Sequence, residues 1–224
     1  MIKHKQQPKI PCSSESGFTI IESLIAMLVA SVLLTAIAPV IILGTATRVQ
    51  ARRIELGTQA ARTYIDGVRT GTISTPTSTS TGATLNSSST PTVGSLTCSA
   101  NAYCTDPASP ANNLYCMDGN GDGICSLNNS KDLLIQAFRY NTASSDATTG
   151  YQLGIRVYRS DGFKSDGSLT KAPNKQASFS GGLGNRKAPL VEMTTVIAPQ
   201  STSFNDWCNR LKNTGNTTSN TSCN

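Results

Sequence analysis

The sequence predicts an α+β protein: a long N-terminal helix laid on a small antiparallel sheet, with long loops and disulfides. Three observations predict it. An apolar run, Phe18 to Leu43, continues into a polar–apolar pattern of helical period as far as Arg69. Stretches of strand length and composition lie at Lys131–Tyr140, Tyr151–Arg159 and Leu190–Ala198. Six of the seven cysteines lie beyond the apolar run, an even number that suits an oxidising compartment and three disulfides.

The run FTIIESLIAMLVASVLLTAIAPVIIL is long enough to cross a bilayer. As a helix it spans about 39 Å at ~1.5 Å per residue, against a hydrocarbon core of ~30 Å. The polar leader MIKHKQQPKIPCSSESG before it carries Lys3, Lys5 and Lys9, so the positive-inside bias keeps this end cytoplasmic and places the rest of the chain outside. Cys12 is not a lipidation site, because the apolar run follows it instead of preceding it. Ala36-Ile37-Ala38 has the form of a signal-peptidase site, but Pro39 would stand directly after the cut and block it.

Glu22 interrupts the run. A carboxylate inside a bilayer costs roughly 2.5–3.5 kcal/mol on insertion scales, and the run offers it no partner. A cut between Gly17 and Phe18 would make Glu22 the fifth residue of the mature chain and expose a new α-amino group at Phe18. The amine of a neighbouring subunit could then neutralise Glu22.

From Thr45 to Arg69, polar residues fall at Arg48, Arg52, Glu55, Gln59, Arg62, Asp66 and Arg69, in alternating steps of four and three. That is one stripe of an amphipathic helix. The other side carries Ile54, Gly57, Ala61, Ile65 and Val68, whose small members suit close docking on a sheet. Arg62 and Asp66 are spaced for an i,i+4 pair. Gly71 and Pro76 end the helix. Residues 72–97 are dominated by Ser and Thr and read as an extended loop that could bear glycans, Asn86-Ser87-Ser88 being a sequon. Tyr151–Arg159 alternates, with Leu153, Ile155 and Val157 on one face and Gly154, Arg156 and Tyr158 on the other. Asp161-Gly162 and Asp166-Gly167 mark turns. The chain thus divides into a basic leader (1–17), an apolar transmembrane and assembly helix (18–43) and an amphipathic helix (44–70). A Ser/Thr-rich, Cys-containing loop region (71–130) and a sheet with a C-terminal tail (131–224) follow.

Cys116-Met-Asp-Gly-Asn-Gly-Asp-Gly-Ile-Cys125 is the sharpest local motif. Asp118, Asn120 and Asp122 alternate as in the opening of a calcium loop, with Gly123 next. The twelfth position is Asn129 instead of the bidentate Glu. The motif therefore reads either as a calcium site or as a bare Asp/Gly turn.

The net charge is +6. Loss of the leader, with three lysines and Glu15, leaves 16 basic and 12 acidic residues, a charge of +4. There is neither a basic stripe nor a nucleic-acid module. The one histidine, His4, lies in the leader, so the mature chain lacks the commonest general base, and no nucleophile elbow, phosphate loop or zinc-spaced set is present. The sequence therefore indicates a non-enzymatic protein.

Gly17-Phe18-Thr19-Ile20-Ile21-Glu22-Ser23 resembles the cleavage and methylation motif of type IV pilins and pseudopilins: Gly before the cut, an aromatic residue after it, Glu four further on. Pro39, the twenty-second mature residue, matches a proline usual in that family's helix. The resemblance reaches no further than Thr70. It implies cleavage by prepilin peptidase, N-methylation of Phe18, a pilin fold, and passage from the inner membrane into an envelope or extracellular filament. The partners it implies are other pilin-like subunits and an inner-membrane assembly platform. Arg48–Gly71 is similar to cyanobacterial pseudopilins linked to hormogonium polysaccharide secretion, which would connect the protein to gliding. The six outer cysteines allow 15 pairings. The working assignment is Cys98–Cys104, Cys116–Cys125 and Cys208–Cys223, the last stapling the tail as pilin-like proteins often do. The alternative to a filament subunit is an anchored, adhesin-like surface protein.

Overall fold

The computed structural model describes residues 17–77, 85–105, 114–141, 144, 146–177 and 184–212. The chain forms two compact units that meet at Gly44, and a single helix, α1 (Ile20–Thr70), contributes to both.

In the first unit no side chain within the apolar window of α1 is buried. Every large hydrophobic residue from Phe18 to Leu43 is at least 41% exposed. Transfer of such a side chain out of water is worth ~1.5–3 kcal/mol, so a stripe of this size needs an apolar surrounding. Pro39 lies inside the helix, which is continuous through it. Its missing N–H leaves the Thr35 carbonyl without the usual helical donor.

The second unit begins at Thr45. All seven residues of the polar stripe are exposed. Gly57, Ala61, Ile65 and Val68 are buried, as are Ala60 and Tyr64, while Ile54 is partly buried. Small residues let the helix backbone come close: a Cβ on Gly57 would stand 3.1 Å from Leu190 Cβ. The expected Arg62–Asp66 pair does not form. Asp66 meets Arg69 instead, at 3.8 Å across three residues, on an exposed face where the gain is small. Gly71 takes φ 77° directly after Thr70 and ends the helix. Ile73 N–H then donates to Gly67 O, and the Ile73 side chain covers Gly67, where a Cβ would collide with it.

The sheet is a four-stranded antiparallel meander in sequence order: β1 (Leu114–Met117), β2 (Leu133–Tyr140), β3 (Tyr151–Arg159) and β4 (Val191–Ile197). Side-chain alternation gives it two buried faces. Leu133, Ile135, Leu153, Ile155 and Val157 pack with Ala61, Tyr64 and Val68 of α1. Leu114, Cys116, Leu134 and Tyr158 point the other way and pack with Phe163, Leu169, Cys104 and Cys125 beneath loops. Strand β1 lies inside the stretch expected to be all loop. Its four residues are too short to show a period, and its outer edge is satisfied by residues 102–104 through Cys104 N–H to Leu114 O and Cys116 N–H to Ala102 O.

Part of the Ser/Thr-rich segment is also more fixed than its composition suggests. A 3-10 turn at Leu85–Ser87 sits over Arg156, which is fully buried. Arg156 Nε donates to Glu192 Oε1 at 2.9 Å and Nη1 to Gln136 Oε1 at 2.9 Å. The remaining donors go to the carbonyls of Leu85, Ser88 and Ser89. Gln136 and Lys171 donate to the same turn. A segment with few apolar side chains is thus held by its carbonyls.

The tail contains a second helix, α2 (Phe204–Lys212), that the sequence reading passed over. Its start is a reciprocal capping box: Asp206 N–H donates to Ser203 Oγ and Ser203 N–H to Asp206 Oδ2. Cys98 is bonded to Cys104 and Cys116 to Cys125. Cys208 is also disulfide-bonded, and Cys223 lies outside the described residues.

Candidate processing and assembly site

Gly17 and Phe18 precede the first helical turn and are exposed, and a Cβ on Gly17 would meet nothing within 4 Å. The junction expected to be cut is therefore open. Thr19 caps the helix: its Oγ1 accepts from Glu22 N–H at 3.3 Å, and its carbonyl accepts from Ser23 N–H at 3.2 Å. Glu22 thus occupies the third helical position, in the first turn, where the helix dipole favours a negative charge. Thr19-x-x-Glu22 has the capping-box spacing. The signal is present in the sequence, where it overlaps the Gly17–Phe18–Glu22 motif. The cap bond uses the Glu22 backbone N–H, and its carboxylate favours the helix start through the dipole alone. Pro39 stands seventeen residues further along the same helix.

The Cys116–Cys125 loop is the second candidate. Asp118 Oδ1 accepts from Asn120 N–H at 3.0 Å and Gly121 N–H at 2.6 Å, while Oδ2 accepts from Gly123 N–H at 2.8 Å. Asp122 Oδ1 accepts from Ile124 N–H, and Oδ2 from the Asn120 side-chain amide. Asp132, buried beside the loop, accepts from Gly119 N–H, Ser126 N–H and the Asn129 amide. Burial pushes its carboxyl above the ordinary value. These carboxylates organise their own backbone. Among the described residues, no group of three or more His, Cys, Asp or Glu side chains is placed to hold a metal ion.

The amides of Gly123 and Gly121 hold the Asp118 carboxyl below the usual carboxylate range. A depressed folded-state value means that the contribution is complete above the unfolded value of about 3.9. It is lost as pH falls through the folded one. In acid titrations, Gly121 and Gly123 amides should accordingly lose hydrogen-exchange protection only below that range. Asp118→Ala should remove their protection at neutral pH. Unchanged protection in that variant would show that the disulfide alone shapes the loop.

Residues 12–38 match the family described as the prokaryotic N-terminal methylation motif. The match takes in Gly17, Phe18 and Glu22 and ends one residue before Pro39. No curated protein and no solved structure matches the chain. The motif and the apolar helix together make this a membrane-anchored, single-pass chain. It bears the N-terminal signature of type IV pilins and pseudopilins, and its α+β fold is consistent with theirs.

Proposed function

We propose that the protein is a minor pilin or pseudopilin, a structural subunit of a type IV pilus-like or type II secretion-like filament. One observation carries this reading: a Gly17–Phe18 junction and an acidic Glu22 at the start of an apolar run, Phe18 to Leu43, whose large side chains are all exposed. Prepilin peptidase removes residues 1–17 and Phe18 is N-methylated. The helix waits in the inner membrane with the globular unit in the periplasm, then packs among the helices of other subunits on an assembly platform. Glu22 pairs with the Phe18 amine of a neighbour and sets its register. The similarity of Arg48–Gly71 to hormogonium pseudopilins supports polysaccharide export and gliding as the task of the machine. Thin apolar content, 38% hydrophobic and 5% aromatic residues, favours a minor subunit.

Intact mass of the native chain tests this. The expected mass is that of a chain beginning at N-methylated Phe18, recovered in sheared filaments or in complexes with other pilin-like subunits. A chain that retains its leader, or one that never co-purifies with such subunits, would refute the reading. One feature favours the second reading, an anchored surface-binding protein. Phe204 and Trp207 of α2 are exposed, with ring centroids 5.8 Å apart, a pairing that suits contact with an external surface.

A further inference from the structure

We infer that the cleft between α1 and the β1–β2 end of the sheet binds a phosphate-bearing amphiphile with the chemistry of an anionic membrane lipid. The cleft lies within the second unit and holds about 470 Å³, inside the ~300–1,000 Å³ range of small-molecule sites. Its wall is apolar, formed by Leu56, Ala60, Met117 and Leu133, and Arg52 and Lys131 also line it. Leu56 is 45% exposed although it stands beside buried Ala60 and Leu133.

The charge balance of the cleft is one-sided. No acid lines it. Among the described residues, neither Arg52 nor Lys131 makes an ion pair. The acids nearest in sequence on the sheet side, Asp118 and Asp132, are engaged by amides of their own loop. Gly119 lies against the Lys131 carbonyl so closely that a Cβ would stand 2.0 Å from it, which fixes Lys131 beside the opening. A small inorganic anion would satisfy the two cations and leave the apolar wall wet. A neutral apolar ligand would cover the wall and leave two cations uncompensated. An anionic head on an apolar chain answers both.

The anchoring of the chain, on which this inference rests, favours a lipid over an acidic peptide. Arg48 and Arg52 both follow Leu43 within nine residues of the same helix. With the leader cytoplasmic, they stand on the side of the span where the positive-inside bias disfavours them. Anionic head groups are the counter-charge that a bilayer surface supplies to such a cluster.

The test uses the mature full-length chain in dodecyl maltoside micelles, followed by native mass spectrometry. Phosphatidylglycerol and phosphatidylcholine of identical chains are titrated separately, with glycerol phosphate as the head group without a chain. Phosphatidylglycerol should be retained at least tenfold more strongly than phosphatidylcholine, and glycerol phosphate at least tenfold more weakly than phosphatidylglycerol. R52Q combined with K131Q should abolish the preference, and Leu56→Asp should weaken retention. Arg62→Gln, on the exposed stripe outside the cleft, should change neither. An unchanged preference in the double variant would overturn the proposal. So would glycerol phosphate binding as strongly as the lipid, which would identify a free phosphate as the ligand. Altered self-association with unaltered lipid retention would overturn it in favour of a protein partner. Should the double variant fail to form its disulfides, Leu56→Asp decides alone, since Leu56 is half exposed and outside the core. A failed filament assignment with intact lipid preference would separate this inference from the proposed function.

Discussion

Arg156→Ala is expected to lower the stability of the globular unit by about 3–5 kcal/mol, the usual cost of removing one partner of a buried ion pair. Both side chains of the pair are almost wholly buried, 0% and 4% exposed. Truncation would leave the Glu192 carboxylate without its cation, the Gln136 amide oxygen without its donor, and the carbonyls of Leu85, Ser88 and Ser89 without Arg156. Each unsatisfied buried group adds to the loss. Arg156→Lys should recover little. One ammonium cannot replace a planar fork that serves two side chains and three carbonyls while lying 5.7 Å from the centre of the Phe138 ring. Urea unfolding of the anchored chain in micelles would measure the loss. Limited proteolysis should show new cleavage within 85–89 in either variant. A loss below about 1 kcal/mol would place the pair among ion pairs of surface strength.

Glu22→Ala is expected to spare removal of the leader and to abolish entry into the filament. Truncating one member of a desolvated charge pair costs about 2–5 kcal/mol, which is a factor of roughly 30 to several thousand in subunit affinity. The helix start offers a control. Thr19→Ala removes the cap on the same turn, a loss of about 1 kcal/mol, but keeps the carboxylate. Quantitative blotting of sheared filaments against the membrane pool should therefore rank wild type and Thr19→Ala close together, with Glu22→Ala far below. Equal losses in the two variants would assign Glu22 to helix initiation alone.

The parts of the molecule that were legible in the sequence are those where one chemical demand governs many residues. The helix announced itself through the apolar run and the seven-residue polar stripe, and β3 through the alternation of Leu153, Ile155 and Val157. Features set by only a few atoms were missed. Strand β1 is too short for a period, and its pairing with residues 102–104 is a long-range fact. Helix α2 is polar on average, yet Ser203-x-x-Asp206 marked its start. Arg156 reads as an outward residue of an alternating strand, and the turn folded over it makes its side chain interior. At the assembly site, Gly17, Phe18 and Glu22 were readable because a processing motif is linear. The partner proposed for Glu22, the Phe18 amine of a neighbouring subunit, is a contact between chains that no pattern along one chain displays.

The two faces of the sheet also differ in when they can be completed. The layer against α1 is closed by aliphatic and tyrosine packing alone, whereas the opposite layer contains Cys104, Cys116 and Cys125. A nascent chain can therefore assemble the helix-bearing layer without any oxidant. The loop-bearing layer is sealed only once its thiols have met an oxidising compartment. A subunit held in a reducing environment would arrive with its anchor and first layer built and its outer surface unfinished. If the globular unit crosses the membrane as proposed, the oxidation state of Cys98, Cys104, Cys116 and Cys125 records that crossing.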